Sequence, residues 1–213
     1  MIHIKKEEIN EMNKIYRLNL INSMTGYKPA NLIGTQSKEK NTNLAIISSV
    51  VHLGSNPPLL GFILRPAVVP RHTYSNIKET GFFTINHVHA NFVDNAHYTS
   101  AKFDEQVSEF DSCEFSREYL DDFPAPFVKE SKLKIGLNFL EEYEIGANKT
   151  IFVIGEIQSI YMPKEILKEN GDVNLNAIHD VCISGLNNYH EVNQIGEFKY
   201  ARPGKKPENL LKR

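Results

Sequence analysis

Six short runs of branched aliphatic residues, with almost no helix between them, leave this chain few architectures to choose from. ANLIGTQ, NLAIISSVVHL and LLGFILR follow one another before residue 66; FFTINHV comes next, and the longer KLKIGLNFLEEYEI and TIFVIGEIQSIYM come later. Each is bounded by Gly, Pro, Asn or other polar residues, which is how strands are punctuated. Parallel strands would need a helical crossover between each pair, and no regular alternation of that kind is present. The pattern therefore predicts a mainly β fold, a six-stranded antiparallel barrel with peripheral helices. SNPP at 55–58 forces a turn, because neither proline can donate to a ladder. ANK at 147–149 predicts a hairpin between the two long strands.

Around these strands the helical signals are few. Ile9, Met12, Tyr16 and Leu20 recur at three- or four-residue spacing within 5–24, one apolar helix face, and Gly26 stops it. TYSNIKET reads as a short helix with Thr73 as N-cap and Gly81 as its closing residue. ANFVDNAHYT also reads as helical, and KEILKENG as a helical turn stopped by Gly171. Residues 104–122 hold eight acids and one arginine and read as a solvated helical or loop insertion. The end, YARPGKKPENLLKR, is a polar tail that either wraps a partner subunit or stays mobile. With no repeat and no linker, residues 1–213 are expected to form a single domain.

Charge narrows the partners. Lys and Arg total 24 against 26 Asp and Glu, a net charge of −2. That balance gives no bulk attraction to nucleic acid or an anionic membrane, so a cationic patch must be local and built for something small. Cys113 and Cys182 are far apart and form no C-x-x-C, as expected in a reducing cytoplasm. The N-terminal MIHIKKEEINEMNK mixes both charges, unlike a signal or transit sequence. LAIISSVVHLG is too short and too often broken by polar residues to span a bilayer. A soluble cytoplasmic protein is the expectation.

The familiar catalytic signatures are missing: no G-x-S-x-G, no G-x-x-x-x-G-K-[ST], no G-x-G-x-x-G and no H-E-x-x-H. His87 and His89 share a strand face, with His97 downstream, but no cysteine or clear third ligand accompanies them, and no metal site is expected. Ser48 and Ser49 lie near His52 without the strained turn that a nucleophile needs. A reactive group brought in from outside, a cofactor, fits this inventory.

Two stretches suit such a guest. In RPAVVPRHTYSNIKETG, residues 65–81, Arg65, Arg71 and His72 gather before a short helix, where unpaired N–H groups and guanidinium forks both favour phosphate. The same residues serve equally as surface cations paired with carboxylates while Thr73 merely caps its helix. In NLAIISSVV, residues 43–51, a strand runs into small hydroxyl residues, and Asn43, Ser48 and Ser49 can line the edge of a flat heteroaromatic ring. A half-buried strand whose serines bond back to the main chain accounts for that stretch as well.

Taken together, these segments resemble the flavin reductase-like family of FMN-binding split barrels. The resemblance rests on Asn43-Leu44-Ala45 with Ser48-Ser49, on Asn56-Pro57-Pro58 before an apolar strand, and on Thr73-x-x-Asn76-Ile77-x-x-Thr80-Gly81-x-Phe83-x-x-Asn86. AHYTSAKFD adds His97, Ser100 and Lys102, and the likeness covers roughly residues 28–160. It implies a six-stranded Greek-key split barrel that forms a homodimer, with FMN (FAD being possible) in a groove near the subunit interface. It further implies that Asn43 and Ser48, Ser49 and Val50 contact the isoalloxazine. Arg65 and the Arg71, His72, Thr73, Tyr74 corner would face the phosphate, with Asn86, His97, Ser100 and Lys102 on the same wall. The chain departs from many relatives at Lys40-Asn41-Thr42, where they carry Asp-Gly, and its N-terminal helix, its first strand GYKPANLIGT and its acidic stretch look specific to a subgroup. The implied activity is transfer of a hydride from NADH or NADPH to bound flavin and of electrons onward to free flavin or another acceptor. No single catalytic residue is expected. A flavin-binding or electron-carrier protein without turnover remains an alternative, as does a split barrel that binds haem or nothing.

Overall fold

The computed structural model describes residues 1–66, 71–104 and 106–211. The strands of the main sheet are β2 (Asn31–Gln36), β3 (Thr42–Ile47), β4 (Val51–Ser55), β5 (Pro58–Leu64), β6 (Phe82–His87), β9 (Lys134–Ile145) and β10 (Thr150–Tyr161). They pair antiparallel in the order β3–β2–β6–β9–β10–β5–β4. β1 (Lys28–Pro29), β11 (Val181–Ser184) and β12 (Asn188–Glu191) form a second small sheet, and β7 (Arg117–Glu118) pairs with β8 (Phe127–Val128). The antiparallel barrel expected from the strand runs is present, with one more strand than six. NLAIISSVVHL is not one strand but two, because the ladder stops at Ile47 and resumes at Val51.

Both faces of the sheet are covered, so β2 is buried at all six positions. On the inner face Ile33, Phe62, Phe83, Ile85, Leu137 and Val153 fill the barrel, and Ile77 of α3 (His72–Thr80) packs among them. Burying a side chain of this size stabilises the fold by about 1.5–3 kcal/mol. Gly155 lets Phe83 lie flat against β10: a Cβ there would come within 2.5 Å of the Phe83 ring. Gly81 ends α3 with φ 79°, the left-handed cap read from the sequence.

The outer face is covered by Leu32, Leu44, Val88, Ala96 and Val128 together with Phe110, Cys113 and Phe115. The last three belong to the acidic stretch, which corrects its reading as a solvated insertion. α5 (Glu109–Ser112) and its flanks insert three apolar side chains beneath a charged surface, and the charge count alone hid them. Arg117 anchors this segment, with one guanidinium N–H bonded to Thr42 Oγ1 at 2.8 Å and two to Asp111. Lys134, nearly buried, pairs with Glu118.

The N-terminal helix is two helices, α1 (Lys6–Glu11) and α2 (Lys14–Ser23), divided where Met12 turns extended and Asn13 accepts from Ile15 N to cap the second. Neither buries a residue fully; of the apolar face seen in the sequence, Ile9, Met12 and Leu20 are half-buried and Tyr16 is exposed. α4 (Val93–Tyr98) forms as expected. Among the described residues no helix is long and apolar enough to cross a membrane.

Candidate functional site

The interruption between β3 and β4 builds the site. β3 bonds to β2 along one side, and its other side is a free edge. Outward N–H groups recur every second residue along such an edge. Leu44 N donates to Glu109 Oε2 at 2.9 Å, and Ile46 N donates to Thr99 Oγ1 at 3.0 Å. Ser48 N is next in that alternation, and no described group accepts from it.

Across the gap, β4 pairs with β5 as far as Val51 opposite Gly61. One more step would set Ser49 against Ile63. Instead the Ser49 hydroxyl makes both bonds, accepting from Ile63 N at 3.0 Å and donating to Ile63 O at 3.2 Å. A side chain thus stands in for main chain, and the backbone of Ser48, Ser49 and Val50 is left without hydrogen-bond partners among the described residues. Backbone groups at half-buried positions normally find partners, so a free three-residue edge is suited to a planar guest with acceptors and donors along its rim.

The cationic corner lies at the N-terminus of α3. Its first helical bond is Ser75 N to Arg71 O, and among the described residues no side chain caps the N–H groups before it. Thr73 is therefore not the N-cap expected from the sequence; Arg71 occupies that position. Thr73 is buried in the first turn, and its hydroxyl accepts from Asn43 Nδ2 at 2.8 Å, tying β3 to the helix. Arg71 Nε is buried with no hydrogen-bond partner among the described residues. Arg65 is exposed directly after β5, and residues 67–70, which join it to Arg71, lie outside the described residues. His72 lies close enough to Glu109 for its charge to favour the carboxylate, yet burial dominates and pushes the Glu109 carboxyl up. Tyr74 is spent elsewhere: its hydroxyl donates to Glu142 Oε1 at 2.9 Å, and Lys78 reaches the same oxygen at 3.1 Å. Burial and that bond both raise the Tyr74 phenol.

A third wall comes from the C-terminal end of α4. Thr99 bonds to Ile46 on the free edge of β3, and His97, Ser100 and Lys102 lie within three residues of it along the chain. His97 Nδ1 pairs with Tyr189 Oη at 3.0 Å, and burial pushes the Tyr189 phenol to about 12, so it stays protonated at working pH. Ser100 and Lys102 are exposed. Asn86 does not belong to this wall. Fully buried, its amide donates to Leu32 O and Thr84 Oγ1 and accepts from Val128 N, so it knits β6 to the outer core.

The structure thus brings Asn43, Ser48, Ser49, Val50, Arg71, His72 and Thr73 to one edge of the barrel. Sequence reasoning missed Thr99, Glu109 and Tyr189. Thr99 sat beside residues that were singled out, whereas nothing local separates Glu109 from the other seven acids of its stretch. His87 and His89 engage Asp180 and His179 instead, and among the described residues no three His, Cys, Asp or Glu side chains converge as metal ligands.

An antiparallel barrel opened at one strand, with free main chain along the opening, is a split barrel. The chain belongs to the flavin reductase-like family, whose domain model matches residues 27–181. It is similar over 94% of its length, at 47% identity and a TM-score of 0.91, to the whole of a split-barrel protein from Shewanella frigidimarina assigned as a flavin reductase. Nitrilotriacetate monooxygenase component B from Bacillus cereus shares the fold at 20% identity and TM-score 0.81, over 92% of this chain and 98% of that one. Flavoredoxin of Desulfovibrio vulgaris shares it at 24% identity and TM-score 0.70, over 84% and 92%. No curated protein matches the chain significantly.

Proposed function

We propose that this chain is an FMN-binding oxidoreductase of flavin reductase type, which takes a hydride from NADH or NADPH and passes electrons to free flavin or another acceptor. The observation that carries this reading is the pairing of a free backbone edge at 48–50 with an uncapped helix start where Arg71 Nε is buried and unpartnered. An edge with spare donors and acceptors fits the rim of an isoalloxazine, and the helix start with a guanidinium fits a phosphate monoester. Ser48 and Val50 main-chain groups would hold the ring, and Arg71, with the N–H groups of His72 and Thr73, would hold the phosphate. FMN, when bound, supplies the two-electron chemistry that the side chains lack.

The rest falls to this chain's own groups. Asn43 fixes the first turn of α3 through Thr73, so the N–H groups stay aimed at the corner. Ser49 holds β5 closed without using the main chain. Main-chain N–H groups along the edge would favour negative charge on a bound ring without reorganising. His97 is braced by Tyr189 through Nδ1. We further propose a homodimer. Among the described residues β4 ends the sheet with an unpaired edge carrying Val51 and Leu53 at 45% and 41% exposure, and an edge of that kind is normally covered.

Stopped-flow mixing of the flavin-loaded protein with NADH and NADPH tests the reading. Bleaching of bound flavin much faster than that of free FMN supports turnover. Bound flavin bleached no faster than free FMN would leave a flavin carrier in its place.

A further inference from the structure

Six of the chain's 24 lysines and arginines fall in its last 15 positions, alongside one acid, Glu208, while the chain as a whole carries −2. The polar tail foreseen from the sequence is a built hairpin. Phe198 bridges Asn209 and Arg202 bridges Lys205 in antiparallel register, Leu210 N donates to Glu197 O, and Gly204 turns the tip at φ 76°. Its base is fixed by Lys168 Nζ to Glu197 at 3.2 Å and by Asn176 Nδ2 donating to Val192 O. Beyond that base it touches little, for Ile195 is 80% exposed, Phe198 56% and Tyr200 92%. A structured hairpin that displays aromatics and cations to solvent is a surface made for contact.

A matching surface lies at the far end of β9. β6 covers β9 only as far as Asn138, and Phe139 N reaches Gly81 O; beyond that the β9 edge away from β10 is unpaired among the described residues. Along this edge Leu140, Tyr143 and Ile145 are 40–54% exposed, between Glu141, Glu142 and Glu144. Long unpaired edges with apolar side chains are aggregation hazards unless something covers them. Lys78 pairs with Glu142 and Lys149 with Glu144, so the edge keeps the charge of Glu141 in excess, where the hairpin sets Lys199, Arg202, Lys205 and Lys206 against Glu208, and both carry apolar side chains for the other to bury.

An arm of this length reaches at most the near end of the edge of its own chain. Its base sits on the 164–178 segment, which packs with Leu133 at the start of β9. Along the 12-residue strand the acidic edge lies six to eleven residues beyond Lys134, roughly 20–36 Å away at the rise of a β-strand. From Phe198 to the turn the arm spans only about 17–20 Å. A second copy related by a two-fold axis removes the difficulty, since each arm then meets the other's edge in a mutual contact.

We propose that residues 192–211 are a clasp that docks on the 140–145 edge of a second copy of this chain. The inference rests on the homodimer proposed above and identifies the element that closes it. The test is sedimentation velocity on four full-length proteins and one truncated after Val192. The full-length set is the unchanged chain, Lys205→Glu/Lys206→Glu, Glu141→Lys/Glu144→Lys, and the combined four-fold reversal. All substituted positions are exposed, and circular dichroism confirms that each protein folds. Expected results are a dimer for the unchanged chain, a dissociation constant raised at least tenfold by truncation and several-fold by either reversal, and recovery in the combined protein. A several-fold weakening of the dimer in 0.5 M salt should accompany this. Truncated and reversed proteins that dimerise like the unchanged chain, or a combined protein without recovery, overturn the clasp and leave the dimer standing. An unchanged chain that is monomeric at every concentration defeats the dimer itself, and the clasp with it.

Discussion

Replacing Ser49 with alanine probes how the barrel is split. The hydroxyl satisfies both the N–H and the C=O of Ile63, at 3.0 and 3.2 Å, and no other described group bonds that side of Ile63. Alanine removes two hydrogen bonds and leaves a donor and an acceptor behind. Stranding buried polar groups costs about 1–3 kcal/mol, and Ile63 is only half-buried, so water recovers part of it and about 1–2 kcal/mol is expected. For a chain of this size each kcal/mol lowers Tm by roughly 2–4 °C, so a fall of about 2–8 °C should appear in flavin-free protein by circular dichroism. Ser48→Ala is the control, because the Ser48 hydroxyl has no hydrogen-bond partner among the described residues, and its Tm should not move. Equal Tm values for unchanged chain and Ser49→Ala would refute the claim that this hydroxyl closes the ladder. A loss seen only with flavin present would place Ser49 on the ligand instead.

Two further outcomes follow from the buried groups around the site. Burial raises the Glu109 carboxyl above its ordinary value of 4.5, so above that pH the unfolded chain releases a proton that the folded chain still holds, and this group lowers stability as pH rises. Glu109→Gln keeps the acceptor for Leu44 N and removes the penalty, so its thermal stability relative to the unchanged chain should improve from pH 4 to pH 7; a difference independent of pH would contradict this. Cys113 is buried, with its thiol pushed up to about 11, and Cys182 is raised too, so Ellman's reagent at pH 8 should react slowly with native protein and rapidly with two thiols after denaturation. Rapid native reaction of both would show that the outer core is open.

Much of the barrel was legible because its strands are patterned locally. Branched residues between Gly, Pro and Asn marked each run, Gly81 marked the end of α3, and ANK marked the β9–β10 hairpin. The break at Ser48–Val50 was not legible, since it depends on a hydroxyl meeting Ile63, fourteen residues away, and branched residues continue on both sides of the two serines. The acidic stretch misled for a related reason: Phe110, Cys113 and Phe115 are buried by tertiary contact with β3, while the acids between them face water. At the site, side-chain type pointed to Asn43, Ser48 and Arg71, but not to direction. Asn86 matches the family pattern and yet turns into the core, Tyr74 turns to Glu142, and Thr73 accepts from Asn43 rather than capping its helix. Tyr189 lies 92 residues from His97 and could be joined to it only by the fold.

The central claim, that one groove holds a ring along 48–50 and a phosphate at the start of α3, is tested most directly by comparing the affinities of FMN and riboflavin. Charged hydrogen bonds of about 1.5–3 kcal/mol to the phosphate should make FMN bind roughly 10- to 100-fold more tightly, and Arg71→Ala should erase most of that difference while leaving riboflavin binding unchanged. Equal affinity for the two ligands, or no binding of either, would contradict the account.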